Sequence, residues 1–81
     1  MPLVHIEDVI HDRRMKNEDY RDGYEWAKAN FDYWWGHLPI DEMKIMVQAY
    51  KAVYELDKHR NINALGMARY LEERSKGQKA S

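Results

Sequence analysis

The sequence predicts an all-α fold: a small bundle of three main helices behind a short N-terminal helix or arm. Three observations lead there. Tyr20, Tyr24, Ala27, Phe31, Trp34 and Leu38 alternate steps of four and three residues, the period of a helix seam that faces a neighbour. Ile40 to Leu56 is apolar on nearly every side, broken by one polar line of Lys44, Gln48, Lys51 and Glu55. Gly36 to Pro39 and the polar run Asp57 to Asn61 punctuate the pattern and supply the turns.

Taken in order, Leu3, Ile6, Val9 and Ile10 recur at roughly helical intervals, so the first element is a short helix or an extended arm. Asn17 is placed to cap a helix over about 17–37, because its side chain can accept an unpaired amide of the first turn. Glu18 and Asp19 suit the positive end of that helix. Gly23 inside it weakens the helix by roughly 1 kcal/mol against alanine, and with Ala27 one turn later it admits a close backbone neighbour. Gly36 suits a left-handed helix end, and Pro39 restricts the residue before it.

The next helix is expected over about 41–59, capped by Asp41. Its first apolar stripe is Met43, Val47, Tyr50 and Tyr54; its second is Ile45, Ala49, Ala52 and Leu56. Two stripes imply neighbours on two sides and make this the expected central helix, paired antiparallel with the preceding one. Asn61 or Asn63 caps a last helix over about 62–74, with Ile62, Leu65, Ala68 and Leu71 on its apolar side. Residues 75–81 read as a disordered polar tail on a single domain, 1–81.

Composition narrows the function. At 81 residues with 44% hydrophobic and 12% aromatic content, the core is near the lower limit for standing alone, which favours self-association. With no cysteine there is no disulfide or thiolate chemistry, which fits an intracellular protein. No apolar run approaches a membrane span and no signal-peptide pattern is present, so the chain reads as cytoplasmic, without membrane contact. Residues 1–43 hold ten acids to five bases, and residues 44–81 hold four acids to eight bases. Such polarity suits contact between oppositely charged faces, or a basic surface for an acidic partner.

Catalytic material is sparse. Threonine and cysteine are absent, and Ser75 and Ser81 are the only serines. The glycines form no phosphate-binding loop. His5, Glu7, Asp8, His11 and Asp12 have the spacing of a one-face metal site. No second segment supplies matching ligands, so they read as a charged first helix. No metal, cofactor or enzymatic activity is expected.

The aromatics carry the functional expectation. Phe31 and Trp34 belong to the seam and Trp35 borders it, while Trp26 and Tyr33 lie together off it beside Asp22. Trp26, Tyr33, Trp35 and Asp22 are the expected partner-binding residues, an aromatic strip rimmed by charge. The expected function is a non-enzymatic helical interaction module, an adaptor or inhibitor such as a phage-type regulator of a larger complex. Its partner is another protein, itself, or both, as a homo-oligomer. The alternative rests on Met43 to Leu71, where AVYEL, a polar turn and INALGMARYL resemble the first two helices of a winged-helix or helix-turn-helix domain. That resemblance implies a small DNA-binding regulator with Arg60, Arg69, Arg74 and Lys76 on phosphates. It lacks the third, groove-reading helix that should follow Leu71.

Overall fold

Four helices make up the described residues: α1 (Ile6–Arg14), α2 (Glu18–Trp34), α3 (Ile40–Leu56) and α4 (Ile62–Lys79). The computed structural model describes residues 6–79, with side chains through Lys76. The architecture is all-α, and none of these helices is long and apolar enough to cross a membrane.

α2 begins as its sequence requires. The Asn17 side chain accepts the Tyr20 amide at 3.1 Å, and Glu18 and Asp19 fill the first turn. It stops earlier than expected, at Trp34, with the Trp35 amide closing on Phe31 O at 2.8 Å. Gly36 does not adopt a left-handed conformation; no described residue has a positive φ. A side chain there would instead run into the Asp32 backbone. α3 also starts differently, with Pro39 as its cap and Asp41 inside the first turn. Before α4, the Asn61 side chain donates to Val53 O at 2.8 Å, tying the turn back onto α3.

The central helix is α4, not α3: α2 packs on one side of α4 and α3 on another. Ala64, Ala68, Tyr70 and Leu71 of α4 are buried, with Tyr20, Ala27 and Phe31 of α2 and Met43 and Val47 of α3. Small residues on α4, Ala64, Gly66 and Ala68, let both neighbours come close. Only the first stripe of α3 is covered; Ile45, Ala49, Ala52 and Leu56 face outward. α4 also continues past Arg74 to Lys79. Ser75, expected in a tail, is buried and donates to Glu72 O at 3.0 Å.

At the α2–α4 crossing, glycines face backbone in both directions. A Cβ on Gly23 would overlap the Asn63 carbonyl, and a Cβ on Gly66 would overlap the Tyr20 carbonyl and approach the Tyr24 nitrogen. Backbone cannot rotate aside as a side-chain tip can, so the two sites admit glycine alone.

Helix propensity favours alanine by about 1 kcal/mol, whereas overpacking costs about 1–3 kcal/mol and more against backbone. Gly23→Ala and Gly66→Ala are therefore each expected to destabilise by about 2 kcal/mol or more in urea unfolding. A rise in stability on either substitution would show that the helices do not cross there.

Candidate docking site

The seam of α2 turns inward through Trp35 rather than Trp34. A strict seven-residue repeat drifts about 20° per heptad against a straight helix, and α2 ends before Trp35, freeing that residue to fold under the bundle. Trp35 is 4% exposed and packs in the core with Phe31 and Met43; Trp34 is 52% exposed. The expected anchor Trp35 is thus a core residue, and Trp34, expected in the core, takes the exposed place.

Trp26 is 45% and Tyr33 80% exposed. Tyr33 sits edge-on to Trp34 with centroids 5.3 Å apart, and Trp34 lies 6.4 Å from Trp26. Trp26 in turn meets buried Trp35 edge-on at 6.1 Å. These spacings favour rings through their quadrupoles. The strip is therefore propped from below: Trp35 contacts Phe31 at 6.3 Å and Tyr50 of α3 at 6.2 Å.

Beside the strip, α2 and α3, expected to pair with each other, each pack on α4 instead and leave a valley between them. The valley, about 390 Å³, is lined by Trp26, Trp34, Trp35, Leu38, Met46 and Tyr50. A separate hollow of about 360 Å³ lies on the other side of Trp26, between α2 and α4, lined by Asp22, Gly23, Asn63 and Met67. Asp22 is exposed at its edge. Burial pushes the Tyr50 hydroxyl pKa upward, so this side chain stays neutral at physiological pH. The valley is walled by the end of α2 and by α3, and no charged residue lines it. Of the residues expected on a partner surface, Trp26, Tyr33 and Asp22 are exposed; Trp34, Leu38, Met46, Tyr50 and Met67, which line the adjoining hollows, were not expected there. The methionines were the available signal, since flexible thioethers are frequent on adaptable binding surfaces.

Another polar cluster joins α1 to α4. Arg69 reaches Asp8 at 2.9 Å and Glu73 at 2.8 Å, and the Tyr24 hydroxyl donates to Glu73 at 2.7 Å. Burial alone would lower the Arg69 pKa, but its bonds to Asp8 and Glu73 outweigh that and raise it. His11 Nδ1 lies 2.7 Å from the Tyr20 hydroxyl, and its ring packs on Tyr24. Burial pushes the Tyr20 hydroxyl up to about 12. Asp8 and His11, two of the residues with metal-site spacing, are thus engaged within the bundle. Among the described residues no three acids or histidines gather as a metal set. His5 lies outside the described residues.

The basic residues are dispersed. Arg60 precedes α4 and Lys76 lies near its far end. Arg69 is held by two carboxylates, and the Arg74 guanidinium sits 4.3 Å over the Phe31 ring. No protein-family model, curated protein or solved structure matches the chain.

The His11 contact yields a pH prediction. Burial, then the Arg69 charge, lowers its pKa below the usual 6.5, overcoming the nearby acids. The folded state therefore binds this proton less readily than the unfolded chain. The contribution is full above about pH 6.5 and is lost as pH falls toward the folded value. Urea midpoints measured between about pH 8 and pH 5 are expected to fall on acidification, and less so in His11→Gln. An identical pH slope in the variant would remove His11 from this account.

Proposed function

We propose that this chain is a non-enzymatic interaction module that takes an amphipathic helix of a partner protein into the valley between α2 and α3. The observation that carries this reading is the exposure of Trp26, Tyr33 and Trp34 as one ring-to-ring strip beside an apolar valley. Exposed tryptophans cost solvation, and a cluster at the centre of a concave apolar surface is where binding energy concentrates. A helix entering the valley would cover Met46 and Tyr50 with its apolar side, and a basic residue reaching past Trp26 would meet Asp22. An adaptor or inhibitor works by such occupancy alone and needs no reactive group.

The DNA-binding alternative has less support. Its four basic residues are distributed along α4 and the preceding turn, and Arg69 is committed to Asp8 and Glu73. Duplex binding that persists at physiological salt, and whose salt dependence flattens in Arg60→Gln and Lys76→Gln, would favour that alternative instead.

Side-chain deletions separate stability from binding. Phe31→Ala and Trp35→Ala are each expected to destabilise by about 3–5 kcal/mol, as buried rings do, and Trp34→Ala by about 1 kcal/mol or less. For binding, a photo-crosslinking amino acid replaces Tyr33 in the native cell, with the same group at exposed Lys28 on the far side of α2 as control. One protein is expected to cross-link from position 33, not from 28, and to be lost when Trp26→Ala is added. Equal cross-linking from both positions would contradict the proposed site.

A further inference from the structure

A second uncovered apolar surface lies on α3. On α3 the side turned away from α4 carries Ile45, 64% exposed, and Leu56, 83% exposed, with Ala49 and Ala52 exposed between them. A monomer gains nothing by presenting such a row to water.

The arrangement of the row indicates what covers it. Its spacing is four, three, four, the same read in either direction, and so is its order of size: large, small, small, large. An antiparallel copy of α3, turned about a two-fold axis between Ala49 and Ala52, sets its Leu56 over Ile45 and its Ala52 over Ala49. The alanines admit close approach of the helices at the axis, and the larger residues fill the space on either side. An isologous interface requires this self-complementarity, whereas a surface for an unrelated partner does not.

The charges follow the same axis. Asp41 and Glu42 occupy the first turn of α3, while Lys58 and Arg60 lie just beyond its end. In the antiparallel pair the acidic start of each helix meets the basic end of the other, Lys44 comes opposite Asp57, and the helix dipoles oppose. Among the described residues, the Lys58 and Arg60 side chains make exposed ion pairs, 3.5 Å to Glu55 and 3.8 Å to Asp57. Pairs of that kind contribute little and are readily exchanged.

We infer that the outer face of α3 is the interface of an antiparallel homodimer whose two-fold axis passes between Ala49 and Ala52. The inference is independent of the tryptophan valley, which lies on the other flank of α3 and would be present twice in the dimer.

Sedimentation equilibrium of the full chain, from micromolar to millimolar concentration, tests it. The wild type is expected to reach a dimer and no higher state. Ala49→Glu sets like charges on both sides of the axis and is expected to give a monomer with unchanged helical circular dichroism. Two charge-reversed chains test the direction of pairing: Asp41→Lys with Glu42→Lys, and Lys58→Glu with Arg60→Glu. Each alone is expected to dimerise at least about tenfold more weakly, and an equimolar mixture to recover association as a heterodimer. A wild type that stays monomeric at millimolar concentration overturns the inference. So does a dimer indifferent to Ala49→Glu but abolished by Trp26→Ala, which would place self-association in the valley. A mixture no tighter than its components would overturn the antiparallel arrangement.

Discussion

Where α2 crosses α4, Gly23 faces the backbone of Asn63 and Gly66 faces the backbone at Tyr20 and Tyr24. Each helix lacks a side chain where the other's main chain passes, so the axes approach more closely than ordinary side chains permit. This contact determines how the rest of the chain is arranged. It makes α4 the helix that others pack on, and it brings Tyr20, Ala27 and Phe31 into the core beside Ala68, Tyr70 and Leu71. It also fixes the rotation of α2, and through that rotation which of its aromatic side chains remain outside.

The aromatic side chains connect the inside to the outside. Rings follow one another from Tyr33 through Trp34, Trp26, Trp35, Phe31 and Tyr70 to Tyr24 and His11 on the far side of the bundle. The surface strip is therefore continuous with the packed core through ring-to-ring contacts. In a chain this small, the same rings stabilise the fold and shape the valley.

Much of this was legible in the sequence, and the failures share a physical cause. Helix existence and the Asn17 cap depend on local signals and were read correctly, as was the close approach expected at Gly23. Helix ends were less accessible: Asp41 is a good cap residue, yet Pro39 takes that position because its extended backbone already sets the turn. Trp34 and Trp35 exchanged roles because a seam counted in sevens ignores the drift of a real helix and its early end. The largest miss was the central helix. Two apolar stripes on α3 implied two neighbours, but only the first is covered within the chain, because hydrophobic periodicity marks an apolar face without saying what, if anything, packs on it. α4 is modest in apolar pattern, and its alanines and Gly66 give it the centre through smallness instead. The exposure of Trp26 and Tyr33 was legible from spacing; the two hollows beside them, one against α3 and one against α4, were not, because no local pattern encodes which walls meet.

The central claim is that α4, gripped by α2 at the glycine crossing, is the structural core, and that α1 and the outer side of α3 are peripheral to it. Native-state hydrogen exchange on the dilute protein tests this most directly, since amides in the last region to open exchange only through global unfolding. The account predicts the slowest exchange in Ala27 to Phe31 of α2 and Ala68 to Leu71 of α4, intermediate rates in α3, and the fastest helical exchange in α1, which has no buried residue. Slowest exchange in α3, with α2 and α4 opening separately below the global free energy, would contradict it.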